Sequence, residues 1–324
     1  MNRQRMLGIL GAAVALLAPM PSALAADSVT LRLDWVIDSR HAPIYLAQAK
    51  GFFKDEGIEV KIFPGEGSTV TIKLVGNRSA DFGYAAADTA LTAYSKGLPV
   101  VSTAVILQKN PTAIVFPKSR PITKLEDLYG KRLGTQIKSV VHQQWEAVTR
   151  LNKIDRKKIT EIPSDRAVAA SIAAEKLDAG IAFFFNDALQ LEAKGTPMEW
   201  LLFSDLGLQV YSSALLTHEA MLKEKPDLVR RFTRAFVKGW SYSMAHPDEA
   251  VAEFVKANSQ ADQATSKLRL KYVMSLVETD DSKKNGIGYT GKAGWEAMQK
   301  ALLDMKLMEA PIDVTRAFTN EFLK

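Results

Sequence analysis

The 324-residue chain contains no cysteine. Disulfides, thiol nucleophiles and thiolate metal sites are therefore excluded. Histidine is nearly as scarce: His41, His142, His218 and His246 show no metal-ligand spacing with one another or with nearby carboxylates, so neither a metal nor a cofactor is expected. The sequence also lacks a Gly-x-Ser-x-Gly elbow, a Rossmann glycine fingerprint and a Gly-Lys-Ser/Thr phosphate loop, and no set of residues reads as catalytic. Charge is not blocked. The formal net charge of +6 is spread along the chain, which reads as solvated surface with a bias toward anions and not as a nucleic-acid footprint.

Long apolar runs are confined to the start. Arg3 and Arg5 precede an apolar run from Met6 to Leu17, and Ala23-Leu24-Ala25 gives a small-residue cleavage pattern. Residues 1–25 read as an export signal, cleaved near Ala25, with the mature chain in the periplasm. Removing them takes away two arginines and no acid, so +6 becomes +4. The remaining ~300 residues are enough for one large core or two ordinary ones.

Short β-rich runs alternate with helical stretches, the pattern of α/β lobes with mostly parallel sheets. Strands are expected at Val29 to Leu33, Ile58 to Phe63, Asp81 to Ala85 and Val100 to Leu107. A second series opens at "AIVFPKS" and runs through "GKRLGTQ", "ITEIP", "LDAGIAFFF" and "MEWLLF"; "QVYSSALLT" is a further strand, after which the pattern turns helical. An interrupted layout fits: a first lobe from residues 26–112 and 214–324, and a second lobe from 113–213 inserted into it. Two crossings between the lobes would form a hinge, and the cleft between them is where a small ligand belongs.

Ligands of open α/β sheets bind at the carboxyl ends of strands. Trp35 and His41 lie in the loop after the first strand; a tryptophan there offers a flat face for stacking, the plainer alternative being a Trp that packs the lobe and a His without a task. Gly65 and Gly67 lead into Ser68 and Thr69 at a helix start, where free N–H groups and hydroxyls converge on an acceptor, or form an ordinary cap. Tyr84 ends the third strand, and Asp88 opens the next helix as a ligand group or as a cap. In the second lobe Lys138, Ser139 and His142 stand at another helix start. Phe183 to Phe185 are expected to be core where they face inward. Asp187 is expected at that strand's end, accepting hydrogen bonds from an amino-substituted ring or capping a helix.

The segments "LDWVIDSRHAPIYLAQAKGFFKDEGIEVKI", "GNRSADFGYAAADTALTAYSKGLPVV", "ITKLEDLYGKRLGTQ", "KLDAGIAFFFNDALQLEAKG" and "FTNEFLK" resemble, in order and over nearly all of the mature chain, the periplasmic substrate-binding proteins for pyrimidine thiamine precursors, with wider branches for nitrate, sulfonates and taurine. The resemblance implies the type II binding-protein fold, two α/β lobes that close on a ligand and deliver it to the membrane and ATPase subunits of an ABC importer, and a monomer with no nucleic-acid partner. It matches the thiamine branch best at Trp35, His41 and Tyr45. It places Asp187 where that branch carries a ring-binding glutamate, with Phe185 beside it. A small organic anion held by Gly67, Ser68, Thr69 and Lys138 is the alternative ligand. A related single-turnover pyrimidine synthase holds pyridoxal phosphate on a lysine and consumes its own histidine. The resemblance puts Ala85 and Thr89 at those positions, and with no amine at Ala85 no Schiff base forms.

Overall fold

The computed structural model describes residues 26–137, 139–164 and 168–324. Lys138 and the expected export signal lie outside the described residues. Ten strands follow in chain order: β1 (Asp27–Arg32), β2 (Ile58–Phe63), β3 (Phe82–Ala86), β4 (Val100–Val105), β5 (Thr112–Pro117), β6 (Arg132–Thr135), β7 (Thr160–Pro163), β8 (Ala179–Phe183), β9 (Met198–Leu202) and β10 (Ser213–His218). They form two five-stranded sheets, ordered β2-β1-β3-β10-β4 and β7-β6-β8-β5-β9. The molecule is a two-lobe α/β protein.

Both sheets are mixed, which corrects the expectation of mostly parallel pairing. In the first, β1 runs parallel to β2 and β3, whereas β10 is antiparallel to β3 and β4. In the second, β6 is parallel to β7 and β8, and β5 is antiparallel to β8 and β9. The reason is the chain path. The strand entering each sheet from the other lobe starts at the edge where the parallel strands end, so it has to run back against them.

Register shows what this does to the site. Ser213, the first residue of β10, pairs with Ala86, the last of β3; Thr112, the first of β5, pairs with Phe183, the last of β8. The carboxyl ends of β1–β3 and of β6–β8 therefore both face the interlobe crossings, and so face each other. The crossings are tied together: Ile106 and Leu107 N–H donate to the Ser213 carbonyl at 2.9 and 3.0 Å, and Ser212 N–H donates to the Leu107 carbonyl at 2.9 Å. Gln108 N–H donates in turn to the Leu276 carbonyl.

The C-terminal helices close the first lobe. Helix Pro226–Ala245 starts on a proline that fits a first helical turn and lays Phe232 flat on Phe82 of β3, ring centroids 4.0 Å apart. Helix Gln263–Met274 reaches further. Its Tyr272 packs against Phe184 and Trp200 of the second lobe and donates its hydroxyl to Glu192. Tyr272→Phe is expected to cost about 2 kcal/mol, the range for a hydrogen bond to a carboxylate, as read by urea unfolding.

Candidate functional site

The first wall is built by two loops that zip together. Gly65 N–H donates to the Trp35 carbonyl (2.9 Å), Gly67 N–H to the Asp34 carbonyl (2.7 Å), and the Thr71 hydroxyl to the Leu33 carbonyl (2.6 Å). Glycine is required at both positions. A Cβ on Gly65 would stand 1.9 Å from the Leu33 carbonyl oxygen, and Gly67 has φ +115°, a left-handed conformation that other residues rarely adopt. The result holds Trp35 at the mouth, 45% exposed. Ser68 and Thr69 open helix Ser68–Gly76; Ser68 Oγ accepts the Ala86 N–H at 3.1 Å, while Thr69 stays exposed.

Beneath Trp35 lies a set of charges. His41 is fully buried, its Nδ1 accepts the Asp38 N–H (3.3 Å), and its Nε2 therefore donates to Asp34 Oδ1 (3.0 Å). The Arg40 guanidinium sits between Asp34 (3.7 Å) and Asp38 (3.4 Å), and Asp38 also pairs with Arg269 at 3.1 Å. Burial works against a charge on Asp34, yet Arg40 and the His41 hydrogen bond hold its carboxyl below the usual carboxylate range. Asp88, in the first turn of helix Ala87–Ser95, accepts the Thr89 N–H at 2.6 Å. Burial pushes its carboxyl up.

The second wall differs from its expected form at one point. β8 ends at Phe183, where Phe184 N–H turns to the Pro111 carbonyl, and helix Phe184–Glu192 begins. Phe184 and Phe185 are thus helical and buried, whereas Phe183 is 38% exposed at the strand end. Asp187 belongs to the first turn of this helix and not to the end of the strand. Half-buried, it accepts the Ala169 N–H at 3.3 Å, and burial pushes its carboxyl up. Because the folded-state carboxyl is raised, its contribution is fully present below the ordinary value of 3.8 and is lost as pH rises through the folded value. Asp187→Asn should therefore melt higher than the wild type at neutral pH, with the gap closing below pH 3.8, as read by thermal melts of the ligand-free protein.

Several expected site residues are turned into the protein. His41 is spent on Asp34 and Asp38. Tyr45 faces Phe254 edge-on at 5.5 Å, on the helix side of the lobe. Tyr84 is 2% exposed among His41, Phe236 and Trp240. Ser139 caps helix Val140–Leu151 through the His142 N–H; His142 Nδ1 meets the Thr135 hydroxyl at 3.1 Å and its Nε2 meets Arg156 at 3.4 Å. Phe185 lies in the core.

Other residues take their place at the mouth. Eight large apolar side chains are exposed among the described residues. Seven of them stand at or just past strand ends or in first helical turns: Trp35, Val36, Phe63 and Val70 in the first lobe, Ile137, Val140 and Phe183 in the second. Only Leu151 lies elsewhere. Sequence reasoning missed most of this set, although apolar residues just past strand ends, where loops are usually polar, were a usable signal.

Comparison with known proteins fits this architecture. The chain is 26% identical over 316 residues to the riboflavin-binding protein RibY of Chloroflexus aurantiacus, covering 94% of this chain and 89% of that one. It is 26% identical over 304 residues to the 4-amino-5-hydroxymethyl-2-methylpyrimidine phosphate synthase of Legionella pneumophila, covering 91% and 92%. Among solved structures, the periplasmic aliphatic sulphonate-binding protein SsuA of Escherichia coli superposes with a TM-score of 0.67 at 12% identity, over 90% of this chain and 91% of that one. That likeness establishes the periplasmic binding-protein fold. A family match over residues 38–250 completes the assignment: the chain belongs to the NMT1/THI5-like family.

Proposed function

We propose that this chain is an exported binding protein that closes its two lobes on a flat, nitrogen-containing ring, of the pyrimidine thiamine-precursor class, and presents it to an ABC importer. One observation carries this: both facing walls expose apolar side chains, with Trp35 on one and Phe183 on the other. Exposed apolar patches of this kind on a soluble protein mark a binding surface. A planar ring buries them from both sides on closure, and that buried area favours the closed state. Asp187, half-buried on the second wall, supplies an acceptor for an amino group on the ring. Trp35, Ser68, Thr69, Phe183 and Asp187 are the contacts; His41 and Tyr84 support the wall from beneath.

Binding without turnover accords with the residues at the synthase positions. Ala85, where the resemblance puts the synthase's lysine, is buried in β3 and carries no amine, and Thr89 stands where the resemblance puts its histidine. A second reading, riboflavin, is favoured by the breadth of the apolar mouth, since seven exposed side chains offer more surface than one ring covers.

The test is to purify the protein natively, denature it and identify the released small molecule by mass spectrometry. An aminopyrimidine supports the proposal, and a flavin selects the second reading. An alkanesulfonate alone would overturn the ring, and pyridoxal phosphate would reinstate the synthase.

A further inference from the structure

We propose that Tyr272 is a strut between the lobes: it fixes their mutual orientation before any ligand arrives, and so sets affinity from a place the ligand does not touch. This rests on the lobe closure proposed above, but not on the identity of the ligand.

Few side chains join the lobes. Apart from those of the crossing segments, the hydrogen bonds, ion pairs and aromatic contacts between the lobes among the described residues are made by Tyr272 and by Arg150. The two stand on opposite faces of the sheets. Along β5, Ala113 and Val115 belong to one apolar core and Ile114 and Phe116 to another, the alternation of a strand covered on both faces. Tyr272 lies in the first core. Trp145 and Val148, of the helix that carries Arg150, lie in the second, as does Leu302 of helix Lys292–Asp304. Two supports, one on each face, thus flank the crossings.

The supports are unequal. Arg150 is exposed and gives one hydrogen bond, to the Asp304 carbonyl at 3.2 Å. Tyr272 is buried, its ring centroid 5.0 Å from that of Trp200 and 5.7 Å from that of Phe184, and its hydroxyl donates to Glu192. Phe184 and Glu192 are the first and last residues of helix Phe184–Glu192, which also bears Asp187. One side chain of the first lobe therefore grips that second-lobe helix at both ends. The grip has a short base: four residues after Tyr272, the Leu276 carbonyl accepts the N–H groups of Gln108 and Lys109 in the first crossing, at 2.9 and 3.2 Å. Three residues before it, Arg269 pairs with Asp38 of the first wall at 3.1 Å. Residues three apart share a helix face, so helix Gln263–Met274 holds both walls in register.

A grip of this kind preorganises the cleft. The wild type meets its ligand with the lobes in one orientation, whereas a variant without the strut has to order them on binding and loses affinity accordingly.

The experiment exploits the absence of cysteine. Lys61→Cys and Thr160→Cys, exposed on β2 and β7 at the far edges of the two sheets, become the only spin-label sites, and pulsed dipolar spectroscopy reads the distance distribution between them without ligand. The wild type is expected to give one narrow band, Arg150→Ala the same band, and Tyr272→Ala a broad distribution. Should Tyr272→Ala not fold, Tyr272→Phe, which loses only the hydroxyl on Glu192, is measured in its place and is expected to broaden the band as well. A broad band in the wild type, equal widths in the wild type and the Tyr272 variant, or equal broadening in Arg150→Ala would overturn the strut. Calorimetric titration with 4-amino-5-hydroxymethyl-2-methylpyrimidine gives a second reading. The Tyr272 variant is expected to bind about twofold to thirtyfold more weakly, the range for residues that act on a conformational equilibrium without touching the ligand. Tighter binding would mean that the contact holds the cleft apart, and it too would overturn the proposal. Where the wild type does not bind this ring, the ring reading fails and the distances alone decide the strut.

Discussion

Trp35→Ala should weaken binding of the ring by about tenfold to a hundredfold, the range measured when an aromatic platform is cut back to alanine beneath a stacked base. Stability should barely move, because Trp35 is 45% exposed and its carbonyl, not its ring, holds the neighbouring loop through Gly65. That separation makes the variant informative. A calorimetric titration with an unchanged dissociation constant would show that no ring lies on Trp35, whereas a large loss at constant melting temperature places it there.

Gly65→Ala should do the opposite and unfold the wall itself. The new Cβ has nowhere to go: the Leu33 carbonyl oxygen is 1.9 Å away and the Asp34 carbonyl carbon 2.6 Å, and both belong to backbone. Relieving the clash means parting the two loops, with loss of the Gly65 and Gly67 hydrogen bonds to Trp35 and Asp34. A destabilisation of about 3 kcal/mol or more is expected, together with loss of binding. Gly291→Ala is the control. Its φ is −81°, its added Cβ would meet only Asp281 Oδ2 at 3.5 Å, and chemical unfolding should find it within about 0.5 kcal/mol of the wild type. Equal effects at the two glycines would mean that the loop contact does not define the wall.

How much of this was legible in the sequence depends on how local each feature is. β2 was placed to the residue, and β1 and β3 to within two, because Gly57, Gly65 and the Arg78–Ala80 turn punctuate short apolar runs. β4 stops at Val105 instead of Leu107, and β10 starts at Ser213 instead of Gln209. In both cases the missing residues are crossing segments whose partners lie a hundred residues away, as with Leu107 and Ser212. Three phenylalanines in a row carry no mark of where a strand yields to a helix; the switch at Phe184 is made by Pro111, a long-range partner. The same holds for the side chains. Trp35 and Asp187 were singled out because strand ends are where α/β sheets bind ligands, and Asp187 proved to lie in the first turn of the helix that follows the strand. His41 was named for being a histidine in that loop, and only the fold shows its ring locked between Asp34 and Asp38. Tyr45 sits at helical spacing and so had two faces to choose from; helix Pro247–Ala257, brought in from the far end of the chain, takes it through Phe254.

The direct test of ring capture is an isothermal titration of the protein, freed of any co-purified molecule, with 4-amino-5-hydroxymethyl-2-methylpyrimidine. Saturable one-to-one binding with a negative heat-capacity change is predicted, the sign that apolar surface on both walls leaves water as the lobes close. No heat with this ring or with riboflavin, while methanesulfonate binds, would contradict it.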